Sequence, residues 1–121
     1  MADTKQESTG KTIIDRPHRV PVRVTVILKE TTFDGSLYFF SKNLSANGMF
    51  LESEILLQEG VVVEVRFLLP DSMAPVRAVG RISRVEDRNV EHATTGFGIQ
   101  FLEIEQSSRE QLQTFLARRT P

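Results

Sequence analysis

From Val20 onward the chain alternates apolar and polar residues with a period of two, and this pattern returns before any helical spacing appears. Val20, Val22, Val24, Val26 and Leu28 share one face of an extended chain, while Pro21, Arg23, Thr25, Ile27 and Lys29 share the other. Successive side chains of a strand point to opposite faces, so residues 20–28 read as one half-buried strand. The alternation recurs at Val61, Val63, Val65, Phe67 and Leu69, at Val76, Ala78, Gly80 and Ile82, and at Phe97, Ile99 and Phe101. Shorter stretches at residues 37–41 and 48–52 read as two more strands. Turn chemistry separates them, at Asp34-Gly35, at Pro70-Asp71-Ser72 and along the polar run 86–96. Parallel strands need crossovers of a dozen or more residues, usually helical, and none is interposed here. The six strands are therefore expected to be antiparallel and to close, or nearly close, into a small barrel.

The period changes at the end of the chain. Leu112, Phe115 and Leu116 recur at helical spacing, Ser107 and Glu110 have the spacing of a capping box, and Arg118 and Arg119 sit where the helix dipole favours cations. This predicts a short amphipathic helix over about residues 106–119. Residues 1–12, MADTKQESTGKT, are polar and small and are expected to form a flexible tail. The rest, 13–121, has the size of a single domain.

Composition removes several classes of function. The formal net charge is −1, so no global field attracts nucleic acid or an anionic membrane. There is no cysteine, which excludes disulfides and thiolate metal sites. No apolar run has the length of a membrane span, and the N-terminus lacks the apolar core of a secretory signal. A cytoplasmic protein without membrane insertion is expected. His18 and His92 lie in separate polar segments without metal-ligand spacing. No nucleophile elbow, phosphate-binding loop, dinucleotide fingerprint or pair of carboxylates suggests catalysis, so the expectation is a non-enzymatic protein with no metal and no cofactor. Arg77, Arg81, Arg84 and Arg88 line one strand and the loop after it, but Glu86, Asp87 and Glu91 dilute them and no aromatics are interleaved for stacking. That face reads as solvated rather than as a DNA or RNA surface.

Two features remain. The first is RVPVR, Arg19 to Arg23, in a proline-framed lead-in. Guanidinium forks match phosphate oxygens and the O6/N7 edge of guanine. In an extended chain the two alpha carbons lie roughly 13 Å apart, at about 3.3 Å per residue, and a bend at Pro21 brings them closer. The second is NLSANG, with Asn43, Ser45 and Gly48. An amide and a hydroxyl can read a base edge, and glycine permits a left-handed turn or close approach of a ligand. Taken alone, this segment is also ordinary turn chemistry.

Taken together, in this order and with this gap, RVPVR and NLSANG resemble the paired motifs of the PilZ domain family. GMFLES, VEVRFLLP, AVGRISRV and TGFGIQFLEI, followed by a final helix, continue the likeness over about residues 16–119. The resemblance implies an all-β fold, a six-stranded antiparallel PilZ-type β-barrel with a short C-terminal α-helix. It implies binding of cyclic di-GMP, a bacterial second messenger with two phosphates and two guanines. Arg19 and Arg23 would contact phosphates and guanine, Asn43 and Ser45 a guanine, and Gly48 would shape the turn. Asn43 stands where the family more often has Asp. Arg16 would add a third cation, and His18 occupies a position that in the family influences whether one ligand or a stacked pair binds. The implied role is a receptor whose N-terminal segment closes over the ligand. With no output domain expected in the chain, it would signal in trans to an unidentified protein partner in motility, pili or exopolysaccharide control. The competing reading is a PilZ-fold interaction adaptor that works without nucleotide.

Overall fold

The computed structural model describes residues 19–30, 35–55, 57–86 and 95–119. They form β1 (Val20–Pro21), β2 (Thr25–Glu30), β3 (Leu37–Ser45), β4 (Gly48–Glu52), β5 (Val62–Phe67), β6 (Val76–Glu86), β7 (Gly96–Ile104) and α1 (Gln106–Arg119). Every pairing is antiparallel. The order β1-β3-β2-β5-β6-β7-β4 closes on itself because β4 also pairs with β3. The six strands β2 to β7 thus form a closed antiparallel barrel with the helix at its C-terminal end, as the alternation predicts. Among the described residues, closure pairs each of β2 to β7 on both sides and leaves only the two-residue β1 as an edge.

The strand expected over residues 20–28 is divided. β1 pairs with Asn43 and Leu44 of β3, β2 pairs with residues 37–40 of the same strand, and residues 22–24 carry no ladder. Ser41 is the physical cause. It is 1% exposed, and its hydroxyl accepts the Val24 N–H at 3.0 Å while donating to the Val22 carbonyl at 2.6 Å. Its own N–H donates to the Val24 carbonyl at 3.0 Å. A side chain therefore replaces the missing ladder bonds, so the break leaves these backbone groups paired. The opposite edge of β3 shifts register against β4 between Ser41 and Asn43. The alternation survives the break, with Val20, Val24, Val26 and Leu28 all buried.

The inward faces fill the barrel. Val26, Leu28, Leu44, Met49, Leu51, Val63, Val65, Phe97 and Ile99 belong to one continuous apolar cluster. Phe39 meets Phe97 edge-on, with ring centroids 5.1 Å apart, the favoured approach of two ring quadrupoles. Fully burying a side chain such as Phe97 stabilises the fold by about 2–3 kcal/mol.

The helix covers the range predicted, but it is not started by the expected capping box. It begins at Gln106, so Ser107 lies inside the first turn. The Glu110 carboxylate accepts a bond from the Gln106 side chain at 3.0 Å instead of reaching back to the cap. Ser108 has the structural role. It is buried, and its hydroxyl accepts the Arg77 N–H of β6 at 2.9 Å, which pins the helix to the barrel. Leu112 and Phe115 follow on the same face at helical spacing and join the core cluster. No helix among the described residues is long and apolar enough to cross a membrane.

Candidate ligand-binding site

NLSANG reads as a turn, yet most of it is strand. Asn43 and Ser45 end β3, Gly48 opens β4, and only Ala46 and Asn47 form the loop between them. The loop is held from within and from outside. The Ser45 hydroxyl accepts the Asn47 N–H and donates to the Gly48 carbonyl, both at 3.3 Å. Phe101 of β7 donates its N–H to the Asn47 carbonyl at 2.8 Å. Ser45 is 3% exposed, so its oxygen is committed to shaping the hairpin in this state.

Gly48 does not provide a left-handed bend. Among the described residues, left-handed backbone is confined to Gly35, Gly60 and Asp71. What requires glycine is proximity to β7, because a Cβ at position 48 would lie 2.1 Å from the Ile99 carbonyl oxygen. Its role is thus to let β4 approach β7, rather than to turn the chain.

A cavity of about 200 Å³ opens beside the hairpin, lined by Arg19, Ser45, Asn47 and Gly48 on one side and Ser83, Ile99 and Gln100 on the other. Arg19 closes over this side, its Nη1 donating to Asn43 Oδ1 at 2.7 Å. A guanidinium has donors only, so the Asn43 oxygen must face Arg19 and its NH₂ is turned away. The two motifs, 24 residues apart, therefore meet at one point.

Arg23 stands apart from the cavity. Its Nη1 lies 3.1 Å from Glu52 Oε1, and its guanidinium sits 4.1 Å from the centroid of the Phe40 ring. The pair is well exposed, 62% for the Arg23 side chain, so its Coulombic gain is about 0–1 kcal/mol. A ligand can displace so weak a contact. Arg16 and His18 lie outside the described residues, as does His92. Among the described residues no group of His, Asp and Glu could hold a metal ion.

Asn47, Ser83 and Gln100 line the cavity although neither motif contains the last two. The signal for them is strand register. Gln100 lies directly opposite Gly48 on one side and Arg81 on the other. A larger surface depression, about 880 Å³, crosses the outer faces of β2, β5, β6 and β7 beside the start of α1, with Lys29, Arg66, Arg77 and Arg109 among its walls. It shares no residue with the motif cavity. Size alone favours it, but it mixes these cations with Glu64, Glu103 and Glu105.

The PilZ domain family model matches residues 15–118. The chain belongs to the PilZ domain family. Comparison with curated proteins returns no match. Solved PilZ-type structures share the fold at low identity. Bacillus subtilis inhibitor of motility, MotI/DgrA, superposes with a TM-score of 0.73 at 16% identity, covering 86% of this chain and 50% of that one. This chain thus spans half the length of that protein. The PilZ domain of Escherichia coli YcgR, solved with c-di-GMP, gives 0.68 at 19% identity, over 86% of this chain and 89% of that one. The PilZ domain of CeSA from a cellulose-synthesizing bacterium gives 0.56 at 16%, over 84% and 96%.

Proposed function

We propose that this PilZ domain is a non-enzymatic receptor for cyclic di-GMP, with Arg19, Arg23, Asn43, Ser45 and Gly48 forming the binding site. The observation that carries the reading is the meeting of Arg19 and Asn43 over the cavity at Gly48. It joins the two motifs at a place with room for a ring and with donors for an acceptor-rich ligand. A volume of about 200 Å³ falls below the ~300–1,000 Å³ usual for whole small-molecule pockets. The cavity accordingly takes one guanine, and the phosphates and second guanine lie outward, within reach of Arg23. Binding then asks two things of the chain. Arg19 releases the Asn43 oxygen, which becomes free to accept guanine N–H groups. Arg23 leaves Glu52 and Phe40 and turns its fork to a phosphate. Both moves change the outer surface around β1 and the hairpin, and that change is the signal offered in trans to a protein partner in the cytoplasm. The YcgR domain was solved with c-di-GMP and MotI is an inhibitor of motility, which supports motility control as the setting.

Calorimetric titration tests the reading. Wild-type protein is expected to bind cyclic di-GMP at micromolar or tighter affinity, and Arg19→Ala and Arg23→Ala to lose that binding. Unchanged affinity in both variants would sink the assignment. A partner complex that forms equally well with Arg19→Ala and without nucleotide would favour an adaptor instead.

A further inference from the structure

The far wall of the cavity comes from β6 and β7, outside both motifs, and one of its residues has a defined chemical orientation. Gln100 is exposed on β7, two ladder neighbours deep in a row that runs Arg81, Gln100, Gly48 across β6, β7 and β4. Arg81 Nη2 donates to Gln100 Oε1 at 3.0 Å. Because a guanidinium cannot accept a hydrogen bond, that contact decides which way the amide faces. The oxygen is occupied by Arg81, and the NH₂ is left as the group available to a ligand. On the other side of Gln100 the row continues to Gly48, which carries no side chain, and both residues line the cavity that Arg19 also lines.

We propose that Gln100, oriented by Arg81, determines which purine this site accepts, with Gln100 as the contact residue and Arg81 as a positioning residue. The inference rests on the cyclic di-GMP reading above. An amide whose oxygen is turned to Arg81 presents its NH₂ outward, and that donor suits an acceptor edge. Guanine presents O6 and N7, both acceptors, whereas adenine presents N7 beside an N6 amino donor. Donor facing donor leaves both groups without a partner once the ligand excludes water, and sites built around such a hydrogen bond reject the wrong partner more strongly than apolar pockets do. If Arg81 is removed, the amide is free to flip and offer its oxygen, so adenine becomes acceptable. The charge of Arg81 is not the active feature here; its directionality is.

The test compares cyclic di-GMP with cyclic di-AMP by calorimetry in wild type, Gln100→Leu and Arg81→Met. Methionine keeps much of the packing of the arginine stem and removes the donor, and thermal melts check that the barrel is intact. Wild type is expected to prefer cyclic di-GMP. In Arg81→Met the preference should shrink by about tenfold or more while the residue touching the ligand is unchanged. Gln100→Leu should weaken cyclic di-GMP by about tenfold and narrow the preference as well. A loss of stability alone would lower both affinities together and leave their ratio intact. If both variants bind cyclic di-GMP with wild-type preference, the proposal is overturned and the receptor reading stands. If wild type binds neither nucleotide, the receptor reading falls and takes this proposal with it.

Discussion

Gly48→Ala is the substitution that separates close strand approach from turn formation. The added Cβ would sit 2.1 Å from the Ile99 carbonyl oxygen, where ordinary contact begins at 3.4 Å. The obstacle is backbone, not the tip of a flexible side chain, so β4 and β7 must part by about 1.3 Å at this end. Overpacking of this kind costs about 1–3 kcal/mol. Separation also stretches the ladder bonds near the Gly48–Gln100 pair beyond useful length, at about 1 kcal/mol for each bond lost. With one or two bonds lost the expected total is ~2–5 kcal/mol, or roughly 8–20 °C in melting temperature at about 4 °C per kcal/mol. Gly60→Ala is the control. Gly60 has φ +93° with open space around it, so alanine there meets only backbone strain of about 1–2 kcal/mol. Circular dichroism melts and urea titrations of both variants read the difference. If Gly48→Ala melts no lower than Gly60→Ala, the reasoning about strand approach is refuted.

Two further outcomes are expected. Ser41→Ala removes the partner of a buried N–H and of the Val22 carbonyl, and should cost about 2–3 kcal/mol while speeding hydrogen exchange of the Val24 amide; unchanged protection at Val24 would refute the role given to Ser41. Glu52→Gln frees Arg23 from a weak exposed pair, so cyclic di-GMP affinity should rise by up to about fivefold with little change in stability, and a fall in affinity would show that Glu52 does not compete with the ligand.

Strand identity was legible because it is local. Val63, Val65 and Phe67, or Val26 and Leu28, announce their buried face within a few residues, and closure follows from the lack of crossover helices. The family motifs were legible for the same reason, as short strings. What stayed hidden depends on partners distant in the chain. Nothing near Ser41 says that its hydroxyl will satisfy Val22 and Val24, some 17 to 19 positions away. The tightness at Gly48 is created by Ile99, and Gln100 enters the cavity only through register with β4. At the helix, Ser107 matched a local rule, while Ser108 was selected by the Arg77 N–H of a strand 31 positions earlier. The gathering of Arg19 with Asn43 likewise needed β1 to lie against the end of β3.

The central claim concerns a place as well as a ligand, so the most direct measurement reports both. In a two-dimensional amide NMR titration with cyclic di-GMP, shifts are expected to concentrate at Asn47, Gly48, Ser83 and Gln100 and at the Asn43 side-chain amide. No shift at millimolar ligand, or shifts confined to the depression around Arg66, Arg77 and Arg109, would contradict the account.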